Sequence, residues 1–497
     1  MRSHDVPETG PMTGVSTSVT RVGAPAPTRA EHGAVTRTER VARTRTGHPA
    51  RTRRRTSGLL LALPLTLCLT ALTGAGAAPA AGPGGGDPAR ELARVDQPLR
   101  STAPDAPFDG DLRAFGRMVG AADVVGAGEA THGSAEFVTT KHRLFRYLVE
   151  HQNFRSFAFE IQWSAGLRLD RWVRTGDGDL ATIMDEEFQN GGALWNTEEM
   201  ADLFRWMRAW NKEHRDQLRV AGNDAAFAGP ELFDRVTAYV ARNYPALLPA
   251  VKQKYAASRP TAGMDETMTS RFAMPLAERQ QLRDDVQSVL TLLERQRPGP
   301  DRRAHALVIQ HARAIAQVGT LFGYDMVGDA PGAMRYRDEV MAANTVWWQR
   351  HTGTRVFLSA HNTHVAGESN VPDYYPTTQG EVLRKELGKR YVNLGFTFGQ
   401  GGFNAVDPED PKKVYRPVEL GPAAPDSSEH TLERVAKGDY YLDTRTAPRA
   451  ARSWLTTARP VRSIGASWPA AEYESTRLAR NYDIVVHLHR VTTTTPR

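Results

Sequence analysis

Short apolar runs typical of buried strands alternate with segments of helical periodicity along this chain of 497 residues, and this alternation constrains its fold most strongly. The first strand-like runs occupy residues 124–128, 157–161 and 218–222, and the helical segments occupy residues 135–151, 165–174 and 197–214. Strands that alternate with helices in this way form parallel sheets covered by helices. The sequence therefore predicts an α/β fold with a parallel-sheet core.

A long helical stretch interrupts this alternation between residues about 230 and 350. It is rich in Leu, Ala, Arg, Gln and Glu, with apolar residues at helical spacing. The alternation then resumes, with strand-like runs at 355–359, 391–398 and 483–487 and a helix at 379–387. We therefore predict a core that is discontinuous in sequence and is interrupted by a large helical insertion, which we expect to form a cap over the functional site.

Residues 1–57 form a basic segment that differs from the rest of the chain. They hold 11 arginines and 4 acidic residues, which accounts for the whole formal net charge of +7, and the remaining chain holds 52 basic and 52 acidic residues. The segment shows no hydrophobic periodicity, so we expect a disordered leader. Because the rest of the chain has no basic excess, its charge does not indicate nucleic-acid binding.

Residues 58–81 have the pattern of a secretory signal peptide. Three arginines at 53–55 precede an apolar run that ends in small residues with A-x-A patterns. The paired arginines are also compatible with twin-arginine export. We therefore expect a secreted protein that meets the membrane only transiently, through this peptide; the alternative is a membrane-anchoring helix. The single cysteine, Cys68, would leave with the peptide. A glycine-rich start predicts a linker over residues 82–100, and residues 101–497 form the domain.

Ionisable side chains are concentrated where the predicted strands end. In parallel α/β sheets, ligands bind beyond the carboxyl ends of the strands. One acidic residue, Glu160, lies inside an otherwise apolar strand, where a carboxylate without a partner is costly. Asp224 also ends a strand, and we expect it to hold a turn. The candidate site residues are Glu129, His132, Glu160, His361 and His364.

Two chemistries fit such a set of residues. A histidine oriented by a carboxylate can act as a general base that activates water, or histidines and carboxylates can bind a divalent metal that lowers the pKa of water. The sequence has no H-E-x-x-H motif, no G-x-S-x-G motif and no cysteine outside the predicted signal peptide. A zincin, a nucleophile-elbow serine hydrolase and a thiol enzyme are therefore disfavoured.

Several motifs in a fixed order resemble those of the erythromycin esterase family. The motifs are Gly-Glu-Ala-Thr-His-Gly at 128–133 followed by Lys141, Phe159-Glu160, Arg337-Asp338 with Met341 and Asn344, Ala360-His361-Asn362 with His364, and the segment 391–396. The resemblance covers roughly residues 121–405. It implies that residues 101–497 form an erythromycin esterase-like hydrolase domain.

The resemblance also implies an activity and roles for individual residues. The activity is hydrolysis of a carboxylic ester, such as a macrolide lactone. We expect this reaction to need no metal or other cofactor. The implied catalytic residues are His132 as the base, Glu129, Glu160 and His361. The implied substrate-binding or oxyanion-binding residues are His364, Arg337 and Lys141.

Two alternatives to this hypothesis stay open. The first is a metal-assisted hydrolase of another ester or of a cell-envelope substrate, such as an acylated polysaccharide or a phosphoester. The second is a non-catalytic protein that uses the same pocket to bind cell-envelope material. In the leading hypothesis the partner is a small-molecule ester, and no nucleic acid is involved.

Overall fold

The computed structural model describes residues 86–410 and 414–497. The predicted leader (1–57) and signal peptide (58–81) lie outside these ranges. None of the helices in the described ranges has the length and apolar composition needed to span a membrane.

Strands and helices have the following bounds. The strands are β1 Gln97–Pro98, β2 Val124–Ala127, β3 Phe154–Gln162, β4 Arg219–Asp224, β5 Arg355–Ser359, β6 Tyr391–Val406, β7 Tyr415–Leu420, β8 Tyr440–Asp443, β9 Arg459–Arg462, β10 Tyr473–Thr476 and β11 Ile484–Val491. The helices are α1 Pro88–Leu92, α2 Arg113–Val119, α3 Ala135–Gln152, α4 Trp163–Thr175, α5 Leu180–Glu187, α6 Glu198–Glu213, α7 Pro230–Asn243, α8 Leu248–Tyr255, α9 Met264–Ala273, α10 Leu276–Glu294, α11 Arg302–Phe322, α12 Ala330–Thr352, α13 Asn362–Val365, α14 Gln379–Leu387, α15 Ser428–Leu432, α16 Arg449–Thr456 and α17 Leu478–Asn481.

A nine-stranded mixed sheet forms the centre of the fold, in the order β1-β8-β11-β6-β2-β5-β3-β4, with β7 paired to the second half of β6. The six strands from β11 to β4 are parallel, whereas β1, β7 and β8 pair antiparallel with their neighbours. The predicted α/β class and parallel core are confirmed. The carboxyl ends of β2, β3, β4 and β5 consequently lie side by side at the same end of the parallel strands.

Alternate residues of the central strands pack on opposite faces of the sheet. Val125, Phe157 and Phe357 face a cluster that includes apolar residues of α3 and α6. Their sequence neighbours Val124 and Ala158 face the other side, which is covered by apolar residues of α7 to α12. The segment predicted as a helical insertion thus packs on the second face of the sheet, and its last helix, α12, lies against β4 and β5.

The structure differs from the sequence prediction at the edge of the sheet. Part of the predicted linker is folded, because residues 88–92 form α1 and β1 pairs with β8. Asp87 caps α1, and the apolar residues Ala89 and Leu92 are buried. The strand predicted at 391–398 continues to Val406, since its later part pairs with β7.

Two glycines allow α4 to approach β4 closely. A β-carbon at Gly166 would collide with the backbone nitrogen of Gly222, and one at Gly222 would collide with the carbonyl of Gln162. The obstacle is backbone in both cases, so rotation of a side chain cannot relieve it. This contact holds β4, and with it the strand end that carries Asp224, against the preceding helix.

We expect Gly166→Ala to lower the free energy of unfolding by about 1–3 kcal/mol, because overpacking against backbone outweighs the better helix propensity of alanine. Urea denaturation measures the change. The matched control is Gly438→Ala, because a β-carbon there meets no atom within 4 Å, and we expect it to stay within about 0.5 kcal/mol of wild type. Equal midpoints for the two variants would show that the contact is not tight.

Candidate active site

The loop after β2 places a carboxylate and an imidazole in direct contact. Glu129 is fully buried, and its Oε1 lies 2.7 Å from Nδ1 of His132. The loop can pass over α13 because residue 128 is glycine; a β-carbon there would collide with the side chain of Asn362. The backbone N–H of His132 donates to the carbonyl of Gly465 at 3.0 Å, which fixes the position of the imidazole.

A buried lysine compensates the charge of this carboxylate. The Lys141 ammonium on α3 contacts Oε2 of Glu129 and donates to Oγ of Ser359 at 2.8 Å. Burial alone would raise the pKa of Glu129, but Lys141 and His132 outweigh it and hold the pKa below its usual value. An ionised Glu129 can only accept a hydrogen bond, so Nδ1 of His132 carries a proton, and in the neutral ring Nε2 carries the lone pair. In the described part of the chain, Nε2 has no hydrogen-bond partner.

A second group of charged side chains is centred on Arg337, which lies on α12 and contacts two carboxylates. Its Nε and Nη2 donate to Asp224 at 3.0 and 2.6 Å, and Nη2 also donates to Glu160 at 2.9 Å. Burial would raise the pKa of Glu160, but His364 and Arg337 hold it well below its usual value. The three side chains are each at most 8% exposed. They form a buried ion cluster whose members need one another, since removing one leaves an uncompensated charge.

His364 connects this ion cluster to α12 a second time. Its Nδ1 lies 2.7 Å from Oδ1 of Asp338, and its Nε2 lies 3.2 Å from Oε1 of Glu160. Burial would lower the pKa of His364, but Asp338 and Glu160 outweigh it and raise the pKa to about 10. The raised pKa favours the imidazolium, whose Nδ1 donates to Asp338, while Nε2 also lies 3.2 Å from Nη1 of Arg337. The edge of the Tyr375 ring packs against it, with centroids 5.5 Å apart.

His361 lies between the two groups of side chains. Its pKa is shifted in the opposite direction to that of His364. Its backbone N–H donates to Glu160 at 3.0 Å, and its ring centroid is 5.2 Å from that of His132. Burial, reinforced by His132, lowers the pKa of His361 to about 3. Its Nδ1 accepts the backbone N–H of Thr363 at 3.3 Å. The neutral ring consequently carries its proton on Nε2, which lies 3.4 Å from the carbonyl of Ala130.

The opening beside the base is narrow and partly aromatic. The His132 side chain is 12% exposed, and the Trp195 ring stands edge-on to it with centroids 5.1 Å apart. Two cavities lie elsewhere in the described part of the chain. One of about 40 Å³ lies within the helical insertion, and one of about 560 Å³ lies between α12 and α14. We take the His132 opening as the reaction site because the perturbed ionisable groups converge there.

The structure brings all seven of the predicted site residues together, in two groups joined by His361. Three positions differ from expectation. The cations of Lys141 and Arg337, expected to contact substrate, are buried against protein carboxylates. Asp224, expected to hold a turn, is the main partner of Arg337.

Three further residues contact the predicted site residues without being predicted from the sequence. Asp338 belongs to the Arg337-Asp338 motif, and a carboxylate beside Arg337 is the signal that could have indicated a partner for His364. Ser359 and Trp195 carry no such local signal, since only the fold brings them to Lys141 and His132.

The cluster is poorly suited to a divalent metal. Its two central carboxylates, Glu129 and Glu160, are already bound to Lys141, Arg337 and the imidazolium of His364. A metal cation would have to displace these buried cations or share the carboxylates with them. In the second case the metal and the buried cations would repel each other strongly. The arrangement fits acid–base chemistry better than metal coordination.

Comparison with known proteins identifies the family. The sequence model of the erythromycin esterase family matches residues 149–491. The chain belongs to the erythromycin esterase family. The matched region contains Glu160, Arg337, His361 and His364, whereas the loop with His132 precedes it. Erythromycin esterase type II of Escherichia coli is 24% identical over 339 residues, which cover 64% of this chain and 79% of that protein. The resemblance stated from the motifs is confirmed, and it supports a hydrolase.

Solved structures share the fold of this family member. A succinoglycan biosynthesis protein is 25% identical and superposes with a TM-score of 0.73, covering 82% of this chain and 98% of that chain. A mutant erythromycin esterase in its open conformation superposes with a TM-score of 0.62 at 18% identity, covering 80% and 98% of the two chains. The second likeness is one of fold alone.

The segment 492–497 braces the loop that carries His132, because the backbone N–H of Thr494 donates to the carbonyl of Gly133 at 2.9 Å and that of Ala135 donates to Thr492. We expect deletion of residues 492–497 to lower kcat by up to about 100-fold in a folded protein, through displacement of the imidazole. The control Arg497→Ala removes an ion pair with Glu198 and a contact with Met184, neither of which involves the loop, and should keep near-wild-type turnover. An unchanged kcat in the deletion variant would show that the loop keeps its conformation without residues 492–497.

The protonation of His364 predicts a stability change in alkaline solution. Because its folded pKa is raised to about 10 from 6.5, the charged ring contributes stability that is fully present below pH 6.5 and is lost as the pH rises through 10. The free energy of unfolding, measured by urea denaturation over this range, should therefore fall more steeply in wild type than in His364→Gln. Parallel curves for the two proteins would argue against a charged His364.

Proposed function

We propose that the protein hydrolyses a carboxylic ester with water that His132 activates as general base. The observation that carries this proposal is the pairing of Nδ1 of His132 with the buried carboxylate of Glu129 at 2.7 Å, which leaves the basic Nε2 free to take a proton. A carboxylate in this position also stabilises the imidazolium that forms when water is deprotonated.

In the proposed reaction, a water oxygen forms a bond to the ester carbonyl carbon while Nε2 of His132 takes a proton from the water. The carbonyl electron pair moves to oxygen and gives a tetrahedral oxyanion. When the oxyanion collapses, the bond to the alkoxy oxygen breaks, and that oxygen takes the proton back from His132. The products are a carboxylic acid and an alcohol, with the net addition of one water.

The neutral ring of His361 is the group best placed to stabilise the oxyanion. Its Nε2–H has only a long contact to a carbonyl, at 3.4 Å, and the ring is adjacent to that of His132. Because its pKa is lowered to about 3, it does not compete for the proton that the base takes. Preorganised donors of this kind contribute strongly to catalysis in a site with little water. Arg337 and Lys141 then act as positioning residues for the two carboxylates.

For the substrate we propose a lactone of the macrolide class, which would give a role in antibiotic resistance. Support comes from the family and from the erythromycin esterase type II relative, and the aromatic wall at Trp195 suits a largely apolar ring. We propose that the protein acts outside the cell on such small molecules, after export by the predicted signal peptide. The fold neighbour that is a succinoglycan biosynthesis protein makes acylated polysaccharides the second substrate class to test.

The proposal is tested with a 14-membered macrolide and a panel of simple and polysaccharide esters, followed by mass spectrometry with and without chelator. We expect a mass gain of one water that chelator does not prevent, and a fall in kcat of about 10²–10⁴-fold in His132→Ala. The matched control is His430→Ala, because that imidazole is exposed on α15.

Each result decides a different part of the proposal. Hydrolysis of another ester with the same dependence on His132 would keep the mechanism and replace the macrolide. Activity that chelator removes and a metal restores would favour metal-assisted hydrolysis. Wild-type turnover in His132→Ala would contradict the assigned base, and binding without turnover of any ester would favour a binding protein.

A further inference from the structure

A second set of imidazole and carboxylate side chains lies outside the proposed active site. Glu433 immediately follows α15, and His487 and His489 both belong to β11. Residues i and i+2 of a strand point to the same face, so the two imidazoles project together towards the carboxylate. One ligand atom from each residue lies within 4.8 Å of the others.

The contacts show that the three side chains converge on one point. Oε1 of Glu433 lies 3.0 Å from Nε2 of His487, and Oε2 lies 2.8 Å from Nδ1 of His489. Ligands of a metal with bonds of about 2.0–2.2 Å are separated by about 3–3.5 Å. The side chains therefore need only small movements to surround an ion.

We infer that Glu433, His487 and His489 form a binding site for a divalent transition-metal ion such as Zn²⁺. Two imidazoles and one carboxylate are a donor set that transition metals prefer over Ca²⁺ and Mg²⁺. His487 is fully buried, whereas the side chains of His489 and Glu433 are 23% and 34% exposed. One side of the site is therefore open to solvent, where water can complete the coordination.

The surroundings of His487 supply the support that a metal-bound histidine requires. A ligating imidazole uses one nitrogen for the metal and donates its other N–H to a neighbour. Nδ1 of His487 lies 2.9 Å from the hydroxyl of Thr397 on β6, and this hydroxyl lies 3.4 Å from the carbonyl of Val486. Thr397 can thus accept from the imidazole while it donates to the carbonyl. Nε2 of His487, which faces Oε1 of Glu433, can then give its lone pair to the ion.

A glycine leaves room for the carboxylate of Glu433. Residue 399 is glycine, and a β-carbon there would collide with Oε1 of Glu433, so the glycine leaves the space that the carboxylate occupies.

A bound ion would connect the end of α15 to β11 and so stabilise the fold. The site is independent of the proposed hydrolysis, because none of its ligands belongs to the Glu129–His364 cluster. Its failure would therefore leave the proposed function untouched.

The test is Zn²⁺ titration of the chelator-treated full chain by calorimetry, with Co²⁺ absorption as a second signal. We expect one ion per chain and a metal-dependent rise in Tm. Glu433→Gln and His489→Ala should weaken binding by at least about 100-fold, and Thr397→Val, which removes only the supporting hydroxyl, by about 10-fold. Two variants serve as controls and should bind Zn²⁺ as wild type does: His430→Ala on α15, the helix that precedes Glu433, and His132→Ala in the proposed active site.

Several results would overturn the inference. Absence of binding at millimolar Zn²⁺ would mean that Glu433 serves only as a hydrogen-bonded bridge between the histidines. Binding that persists in both Glu433→Gln and His489→Ala, or that is lost in His132→Ala, would place the ion elsewhere. Because Glu433→Gln keeps the size of the side chain, it decides the matter even if His489→Ala does not fold.

Discussion

Burial of carboxylates beside buried cations is the constraint on which the rest of the site depends. Glu129 and Glu160 can stay ionised in the protein interior only because Lys141 and Arg337 lie against them. An unpaired charge at this depth would cost several kcal/mol. The cations come from α3 and α12, on opposite faces of the sheet, so the site is complete only when both faces are packed.

This charge arrangement determines which proton each histidine holds. Glu129 orients the ring of His132, Glu160 and Asp338 keep His364 charged, and His361 stays neutral because burial and neighbouring rings disfavour its charge. Three histidines within one small region thus have distinct properties. A site built in this way needs little rearrangement as charge develops during hydrolysis, which is the general advantage of preorganised electrostatics.

Local patterns predicted the parallel core well, because buried strands such as 355–359 and helices such as 379–387 carry strong periodic signals. They failed where pairing is long-range: β1 is only two residues long and depends on β8, more than 300 positions away. The same limit applies to the site. Strand ends indicated His132 and Glu160, but that Arg337 serves Asp224 rather than a substrate follows only from how α12 packs on β4.

Chemical rescue tests the central claim, that His132 is the base, most directly. Imidazoles of different pKa are added to His132→Gly, and turnover of the ester is measured. The account predicts that imidazole restores part of the activity, in proportion to its concentration and more strongly for more basic imidazoles, while His361→Gly gains nothing. A folded His132→Gly protein that no imidazole activates, together with rescue of His361→Gly, would contradict the account and move the role of base to His361.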